Sequence, residues 1–136
     1  LLSSTLNVIE AQRLVRKLCN DCKEKKPAQG RALEIIEKTI AEMPEKIRVK
    51  TQSKEYFIWE APGCGKCMHK GTKGRMVIFE AMMMTQELKR IVVEGFTEEK
   101  IINEATRQGM VTMKQDGIIK VLEGLVSLEE VLQSTI

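Results

Sequence analysis

Apolar residues recur at helical spacing near the start of the chain. Leu6, Ile9 and Leu14 fall near one face of a helical wheel, and polar residues fill the opposite face. This spacing predicts a helix over residues 5–18 that runs directly into Cys19.

A second helical pattern follows a stretch that is rich in helix breakers. The stretch is "KEKKPAQG", residues 23–30. Beyond it, apolar residues again recur at helical spacing. They predict a helix over residues 31–43, which Pro44 ends.

Short β-patterns occupy the middle of the chain. "KIRVK" at 46–50 and "EYFIW" at 55–59 contain residues that favour strands, and they predict a small hairpin or two short strands. The segment "APGCGKCMHKGTKGR", residues 61–75, is rich in Gly and Lys and is expected to be a loop. "MVIFEAM", residues 76–82, predicts a strand.

The last fifty residues read as helices with clear start signals. These signals are Thr97 with Glu98 and Glu99 in the first turn, Thr112 with Gln115 three positions later, and Ser127 with Glu130. Gly109 is expected to stop the helix that begins after Thr97.

Composition favours a core built mainly from aliphatic side chains. Hydrophobic residues make up 43% of the 136 residues, but the aromatic share is only 4%. Leu, Ile, Val and Met must therefore fill the core, which suits helix packing better than a large sheet. The expected fold class is α+β: mostly helical, with a small β element and a module built on cysteines.

The first residues of the chain and its hydropathy give two further expectations. The sequence begins at Leu1 with apolar periodicity already under way, so we expect a piece of a longer protein. No apolar run reaches the length that a membrane-spanning helix needs.

All four cysteines lie in two Cys-x-x-Cys pairs. Cys19 and Cys22 form the first pair and Cys64 and Cys67 the second, with 41 residues (23–63) between them. Each turn brings two sulfur atoms close together, and two such turns supply the tetrahedral thiolate set that zinc prefers. With every coordination position taken by sulfur, none is left for substrate or water. The zinc is therefore expected to be structural.

Other uses of the cysteines have less support. Disulfides would need an oxidising compartment, for which the sequence gives no signal. Iron–sulfur clusters usually show tighter ligand runs, and a redox dithiol would need only one pair. His69 follows Cys67 by two positions and is expected to be an exposed loop histidine rather than a ligand.

Basic residues cluster around the two cysteine pairs. The chain carries 22 basic and 19 acidic residues, and a net charge of +3 is too small to argue for nucleic acid by itself. The clustered residues are Arg13, Arg16, Lys17, Lys23, Lys25 and Lys26 near the first pair, and Lys66, Lys70, Lys73 and Arg75 near the second. Two interpretations stay open: a solvated face, or a surface for an anionic partner such as a phospholipid, a nucleotide phosphate or an acidic subunit face.

Catalytic motifs are absent from the sequence. It contains no P-loop and no H-E-x-x-H motif, and its single histidine offers few candidates for a catalytic general base. Taken alone, the chain is expected to be non-catalytic.

Three segments together resemble the hexameric ATPases that power type II secretion and type IV pilus assembly. "LNVIEAQRLVRKLCNDCK" looks like the helix that closes the RecA-like ATPase core of that family and enters its zinc-binding insert. "GCGKCMHKGTKGRMVIFEAM" resembles the family's second cysteine pair, followed by a Gly-x-x-Gly-Arg loop and a strand. "EATRQGMVTMKQDGIIKVLEGLVSLEEVL" resembles the family's C-terminal helical signature.

The resemblance implies a division of the chain and a set of ligands. Residues 1–18 would be the terminal helix of the ATPase core, residues 19–75 the zinc module with its insert, and residues 76–136 a C-terminal helical subdomain. The implied zinc ligands are Cys19, Cys22, Cys64 and Cys67. ATP and magnesium would belong to the parent protein, because the family's nucleotide site lies upstream of the matching segments.

Arg13, Arg16 and Arg75 are the candidates for a contact with nucleotide or with another subunit. The first two lie in "AQRLVR" at the border of the implied ATPase core, and Arg75 closes the Gly-x-x-Gly-Arg loop. Arginines near subunit borders of ring ATPases commonly meet nucleotide phosphate or a neighbouring subunit. Plainer interpretations stay open: a surface helix for Arg13 and Arg16, and a loop anchor for Arg75.

The resemblance also implies partners and a location. The expected partners are neighbouring subunits of a homohexamer, inner-membrane platform proteins and an anionic phospholipid surface, and the expected location is cytoplasmic, peripheral to the bacterial inner membrane. Nucleic acid is disfavoured, because no aromatic residues alternate with the lysines to stack on bases. The alternative is a stand-alone zinc-ribbon module that binds nucleic acid or protein. The insert departs from the family pattern: it is long, and residues 31–59 match no motif of the family.

Overall fold

The structure, a computed structural model, describes residues 5–135. The strands in that range are β1 Val8–Leu18, β2 Glu24–Pro27, β3 Phe57–Glu60 and β4 Thr72–Met83. The helices are α1 Gly30–Ala41, α2 Glu45–Thr51, α3 Gln86–Glu94, α4 Glu98–Arg107, α5 Met113–Leu122 and α6 Leu128–Ser134. With 45% helix and 24% strand the α+β fold class is confirmed, although the β part is larger than the small element expected.

Strands β1 and β4 form a long antiparallel ribbon. Val8 lies opposite Met83 at one end, and Arg16 lies opposite Arg75 at the other. The helix expected over residues 5–18 is therefore wrong. Residues 1–4, the start of the helix expected over 1–18, lie outside the described part of the chain.

Long-range pairing overrides the local helical pattern of β1. Val15 and Ile78 share one face of the ribbon and are fully buried in a cluster with residues of α5 and α6. Branched side chains of this kind suit a half-buried strand as well as a helix, so the packing decides. The strand predicted at "MVIFEAM" is confirmed, but it begins at Thr72, so the end of the expected loop 61–75 is strand.

Strands β2 and β3 form a second, short antiparallel ribbon. The stretch expected to break structure at 23–30 supplies β2, and Lys25 Nζ lies 4.4 Å from the centre of the Phe57 ring. "EYFIW" does contribute β3, but "KIRVK" is helical and the prediction of a strand there is wrong. Pro44 stands at the start of this helix, α2, where its missing N–H leaves no helical hydrogen bond unmade.

The helix starts predicted from capping residues are confirmed. The hydroxyls of Thr97 and Ser127 each accept an N–H from the first turn of α4 and α6. Thr112 and Gln115 form the reciprocal capping box that begins α5. Gly109 lies just past α4 with a φ of +74°, which favours glycine. No helix within residues 5–135 is long and apolar enough to span a membrane.

Two buried clusters pack the C-terminal helices α5 and α6 against the ribbons and α1. The first lies between the long ribbon and the C-terminal helices and contains Val15, Ile78, Val121, Val126 and Val131. The second lies between α1 and α5 and contains Ala28, Ile36, Ile40, Met43 and Ile118. The helix predicted over 31–43 is confirmed as α1, and its apolar face makes the insert part of the core.

A buried carboxylate fastens the α3–α4 hairpin to the far end of β4. The side chain of Glu104, in a residue only 2% exposed, accepts hydrogen bonds from Arg107, Thr85 and Gln108. Gln108 in turn bonds both the N–H and the carbonyl of Met83. The Arg107 guanidinium, helped by the other donors, overcomes the effect of burial and lowers the pKa of Glu104 to about 2.

The contact of α5 with α6 depends on the absence of a side chain at Gly117. A Cβ there would lie 2.5 Å from a methyl carbon of Val131. We expect Gly117→Ala to lower the free energy of unfolding by about 1–3 kcal/mol. In a Val131→Ala background the added methyl has room, and the change should be neutral or stabilising by up to about 1 kcal/mol. Denaturant unfolding of the four proteins measures both effects, and equal effects in the two backgrounds would contradict this packing.

The Glu104 network predicts a defined pH dependence. Because the folded pKa of about 2 lies below the ordinary value of 4.5, the carboxylate stabilises the fold above pH 4.5 and this contribution is lost as the pH falls towards 2. We expect Glu104→Gln to destabilise the chain at neutral pH and to lose that effect across the same window. Urea unfolding at several pH values measures it, with the exposed Glu99→Gln on the same helix as the control. If the difference in unfolding free energy between Glu104→Gln and the parent chain did not change with pH, the proposed role of the ionised Glu104 carboxylate would be refuted.

Candidate metal centre

The four cysteines meet where the two ribbons join. Cys19 follows β1 directly and Cys22 lies just before β2. Cys64 precedes the single helical turn Gly65–Cys67 between β3 and β4, and Cys67 is the last residue of that turn. The insert therefore leaves the cluster along β2 and returns to it along β3.

Tight backbone turns present the sulfur atoms of the second pair. A Cβ at Gly63 would lie 2.7 Å from the carbonyl oxygen of His69, and the φ of Gly63 is +106°. Met68 and His69 both adopt the left-handed conformation, which residues with a Cβ rarely occupy. The Cys19 N–H donates to the Gly71 carbonyl at 3.0 Å, which ties the first pair to the second.

The sulfur separations fit a tetrahedral zinc site. The Sγ atoms of Cys19 and Cys64 lie 3.8 Å apart, those of Cys22 and Cys67 3.9 Å, and those of Cys64 and Cys67 3.8 Å. All four sulfur atoms lie within 4.8 Å of one another. Four zinc–sulfur bonds of about 2.3 Å in a tetrahedron require edges of about 3.8 Å. A metal that prefers four thiolates therefore fits this donor set.

The pKa values of the Cys22 and Cys67 thiols shift in opposite directions because their surroundings differ. Burial raises the pKa of Cys67, but the N–H groups of Cys64 and Gly71, each 3.2 Å from its sulfur, lower it to about 6. Burial and hydrogen bonds with the other three thiols raise the pKa of Cys22 to about 12. One thiol thus ionises readily while another holds its proton, and a divalent cation would bind by displacing the protons that remain.

Neither disulfides nor histidine ligation fit the cluster. The cysteines are free, and the Sγ separations of 3.8–3.9 Å are far above the bonding distance of about 2.05 Å. His69 is exposed, and the group of metal-ligating side chains found here consists of the four cysteines alone among the described residues.

The ribbon brings two of the three candidate arginines together. Arg16 and Arg75 lie opposite each other across β1 and β4, and both line a groove of about 730 Å³. Glu130 of α6 pairs with Arg16 at 3.2 Å. Sequence reasoning missed this carboxylate and the neighbouring Lys70, because only the strand register places them beside the arginines.

Arg13 lies elsewhere. Side chains alternate along a strand, and Arg13 is an odd number of positions from Arg16, so the two occupy opposite faces of β1. Arg13 lines a separate cavity with Glu80 and Lys114. The three arginines therefore do not form one site.

The sequence matches a known protein family along nearly its whole length. Residues 1–133 match the model of the family described as type II/IV secretion system protein. The chain belongs to this family. The resemblance carried by the cysteine pairs and the C-terminal helices is thereby confirmed.

Relatives of this family member include pilus and secretion ATPases. Type IV pilus assembly ATPase PilB of Myxococcus xanthus is 35% identical over 99% of the chain. PilB of Thermus thermophilus is 34% identical and type II secretion system protein E of Aeromonas hydrophila is 36% identical, each over 99% of the chain. The chain spans only 22%, 14% and 24% of these three proteins, respectively.

The geometry predicts one tightly held zinc ion per chain. We expect Cys67→Ser to lose the metal and most of the thermal stability that depends on it, because a hydroxyl replaces a thiolate ligand. His69→Asn, which tolerates the left-handed backbone, should keep both. Elemental analysis without added metal, and melting with and without a strong chelator, measure these effects. The assignment of a four-cysteine zinc site would be contradicted by any of three results. These are a zinc content in Cys67→Ser equal to that of the parent chain, a loss of zinc in His69→Asn, or a coloured protein that contains iron.

Proposed function

We propose that this chain is the C-terminal zinc-binding region of a hexameric ATPase that powers type II secretion or type IV pilus assembly. The observation that carries the proposal is the four-sulfur cluster at the junction of the two ribbons. It stands in a chain that matches the secretion family over residues 1–133.

The proposed role of this region is structural and interaction-mediating. Zinc, when bound, would supply a rigid tetrahedral joint without redox chemistry or an open coordination position. Cys19, Cys22, Cys64 and Cys67 are the proposed ligands. The joint would fix the C-terminal helices against the long ribbon, which connects to the rest of the motor.

ATP and magnesium are proposed to bind in the parent protein, outside this chain. The 136-residue sequence contains no P-loop motif. Arg16 and Arg75 are proposed to meet nucleotide phosphate or a neighbouring subunit, supported by their shared groove. Arg13 has weaker support, because it lies on the other face of β1.

The proposed division of the chain keeps the boundaries that the resemblance implies. Residues 1–18 would belong to the edge of the ATPase core, residues 19–75 to the zinc module and residues 76–136 to the C-terminal subdomain. The first part contributes a strand to that edge rather than a helix.

The proposed partners are neighbouring subunits of a homohexamer and inner-membrane platform proteins, with anionic phospholipid as a further partner for the basic clusters. The proposed location is cytoplasmic, peripheral to the bacterial inner membrane. These proposals rest on the relatives, which are named as pilus assembly and secretion ATPases. The exposed basic side chains around the cysteine pairs support an anionic partner surface.

A nucleic-acid module has less support. Lys25 covers the Phe57 ring at 4.4 Å and lies 5.5 Å from the Trp59 ring. The ring of Trp59 also packs on Gly124, where an added Cβ would lie 3.1 Å away. Base stacking needs free aromatic faces, and these are already in contact.

The proposal predicts that the zinc-loaded chain alone does not hydrolyse ATP. Phosphate release should equal that of a mock purification, because the sequence contains no P-loop motif to hold the phosphates. The same sample should give no salt-dependent shift of labelled DNA or RNA at low salt. ATP hydrolysis well above that of the mock sample would refute the proposal that the ATP site lies outside this chain. A clear shift of labelled nucleic acid would favour the stand-alone module.

A further inference from the structure

The tip of the α3–α4 hairpin is exposed, apolar and acidic. Residues 93–100, here called the hairpin tip, are all exposed. Val93 is 74% exposed and Phe96 is 63% exposed. Glu98 and Glu99 stand beside them and make no ion pair with any described residue. Exposed apolar side chains rimmed by charge are typical of contact surfaces between proteins.

A groove with an uncompensated cation lies at the other end of β4. This groove of about 730 Å³, here called the knuckle groove, is lined by Arg16, Lys70 and Arg75 on one side and by Glu129 and Glu130 on the other. Arg16 and Arg75 lie directly opposite each other, an arrangement of like charges that destabilises a sheet. Glu130 compensates Arg16, but Arg75 makes no ion pair within residues 5–135. The groove has room for an aromatic ring, and a carboxylate entering it could pair with Arg75.

The hairpin tip and the knuckle groove of one chain do not meet: residues 93–100 are exposed and none of them lines the groove. Strand β4 separates them: from Arg75, which lines the groove, to Met83 at the end of the strand, eight steps of about 3.3 Å span about 26 Å. Helix α3 has 9 residues, so even lying back along the strand it would return only about 14 Å. A gap of about 12 Å remains, so the groove stays open to a second chain.

We propose that the hairpin tip of one copy of this chain binds the knuckle groove of a second copy. Phe96 enters the groove, and Glu98 and Glu99 lie beside Arg75 and Lys70. The contact joins two different surfaces, so each bound copy still offers a free tip or a free groove, and repetition gives a ring or a filament. The inference rests on the proposed function, a part of a ring ATPase, and names the surfaces through which copies meet.

Two neutralising variants test the contact in the zinc-loaded chain. The tip variant combines Phe96→Ser, Glu98→Gln and Glu99→Gln, and the groove variant combines Lys70→Gln and Arg75→Gln. By analytical ultracentrifugation at low salt, we expect the parent to self-associate with concentration and each variant to lose at least about tenfold in association constant. A control variant with Glu37→Gln and Lys50→Gln, exposed positions on α1 and α2, should associate like the parent.

Mixing the two variants gives the sharper result. The tip variant keeps an intact groove and the groove variant keeps an intact tip, so an equimolar mixture should form heterodimers and nothing larger. A parent that stays monomeric, association that neither variant weakens, or a mixture without heterodimers would each overturn the proposal. Zinc content, measured on every sample, separates these outcomes from failure of the proposed function. A zinc-loaded parent that assembles through other surfaces refutes only the tip-to-groove contact.

Discussion

The meeting of four sulfur atoms at one point fixes how the two ribbons join. Cys19 and Cys22 carry the chain from β1 to β2, and Cys64 and Cys67 carry it from β3 to β4. Four small thiols make a poor core by themselves, whereas a bound dication would convert them into one rigid joint. The joint also closes the loop of residues 23–63, which restricts the unfolded chain.

Contacts beyond the cluster extend this constraint to the C-terminal helices. Lys23, next to the first pair, donates to the Gly124 carbonyl at 2.8 Å. Farther along the insert, Gln115 of α5 donates to the Glu42 carbonyl at 3.1 Å, beside the buried cluster shared by α1 and α5. The insert is thus held at its cysteine end by the thiols and at its helical end by the core. Loss of the joint would loosen α5 and α6 as well as the loops that carry the ligands.

Local chemistry was predictable from the sequence, and long-range pairing was not. The cysteine spacing and the caps at Thr97, Thr112 and Ser127 depend on residues a few positions apart, and the structure agrees with them. Residues 5–18 carry an apolar pattern compatible with a helix, and only their pairing with a strand more than fifty positions away makes them β1. The charged segment 24–27 is a strand for the same reason. The groove between Arg16 and Arg75 follows from that register, so single-sequence reasoning could name the arginines but not bring them together.

The number and type of atoms bound to the metal are the sharpest test of a joint made by four thiolates. X-ray absorption spectroscopy at the zinc edge, on the chain purified without added metal, reports the number and type of ligand atoms. We expect four sulfur neighbours at about 2.3 Å and no nitrogen or oxygen ligand. A nitrogen or oxygen ligand, fewer than four sulfur neighbours, or no bound zinc would contradict a closed tetrathiolate joint between the ribbons.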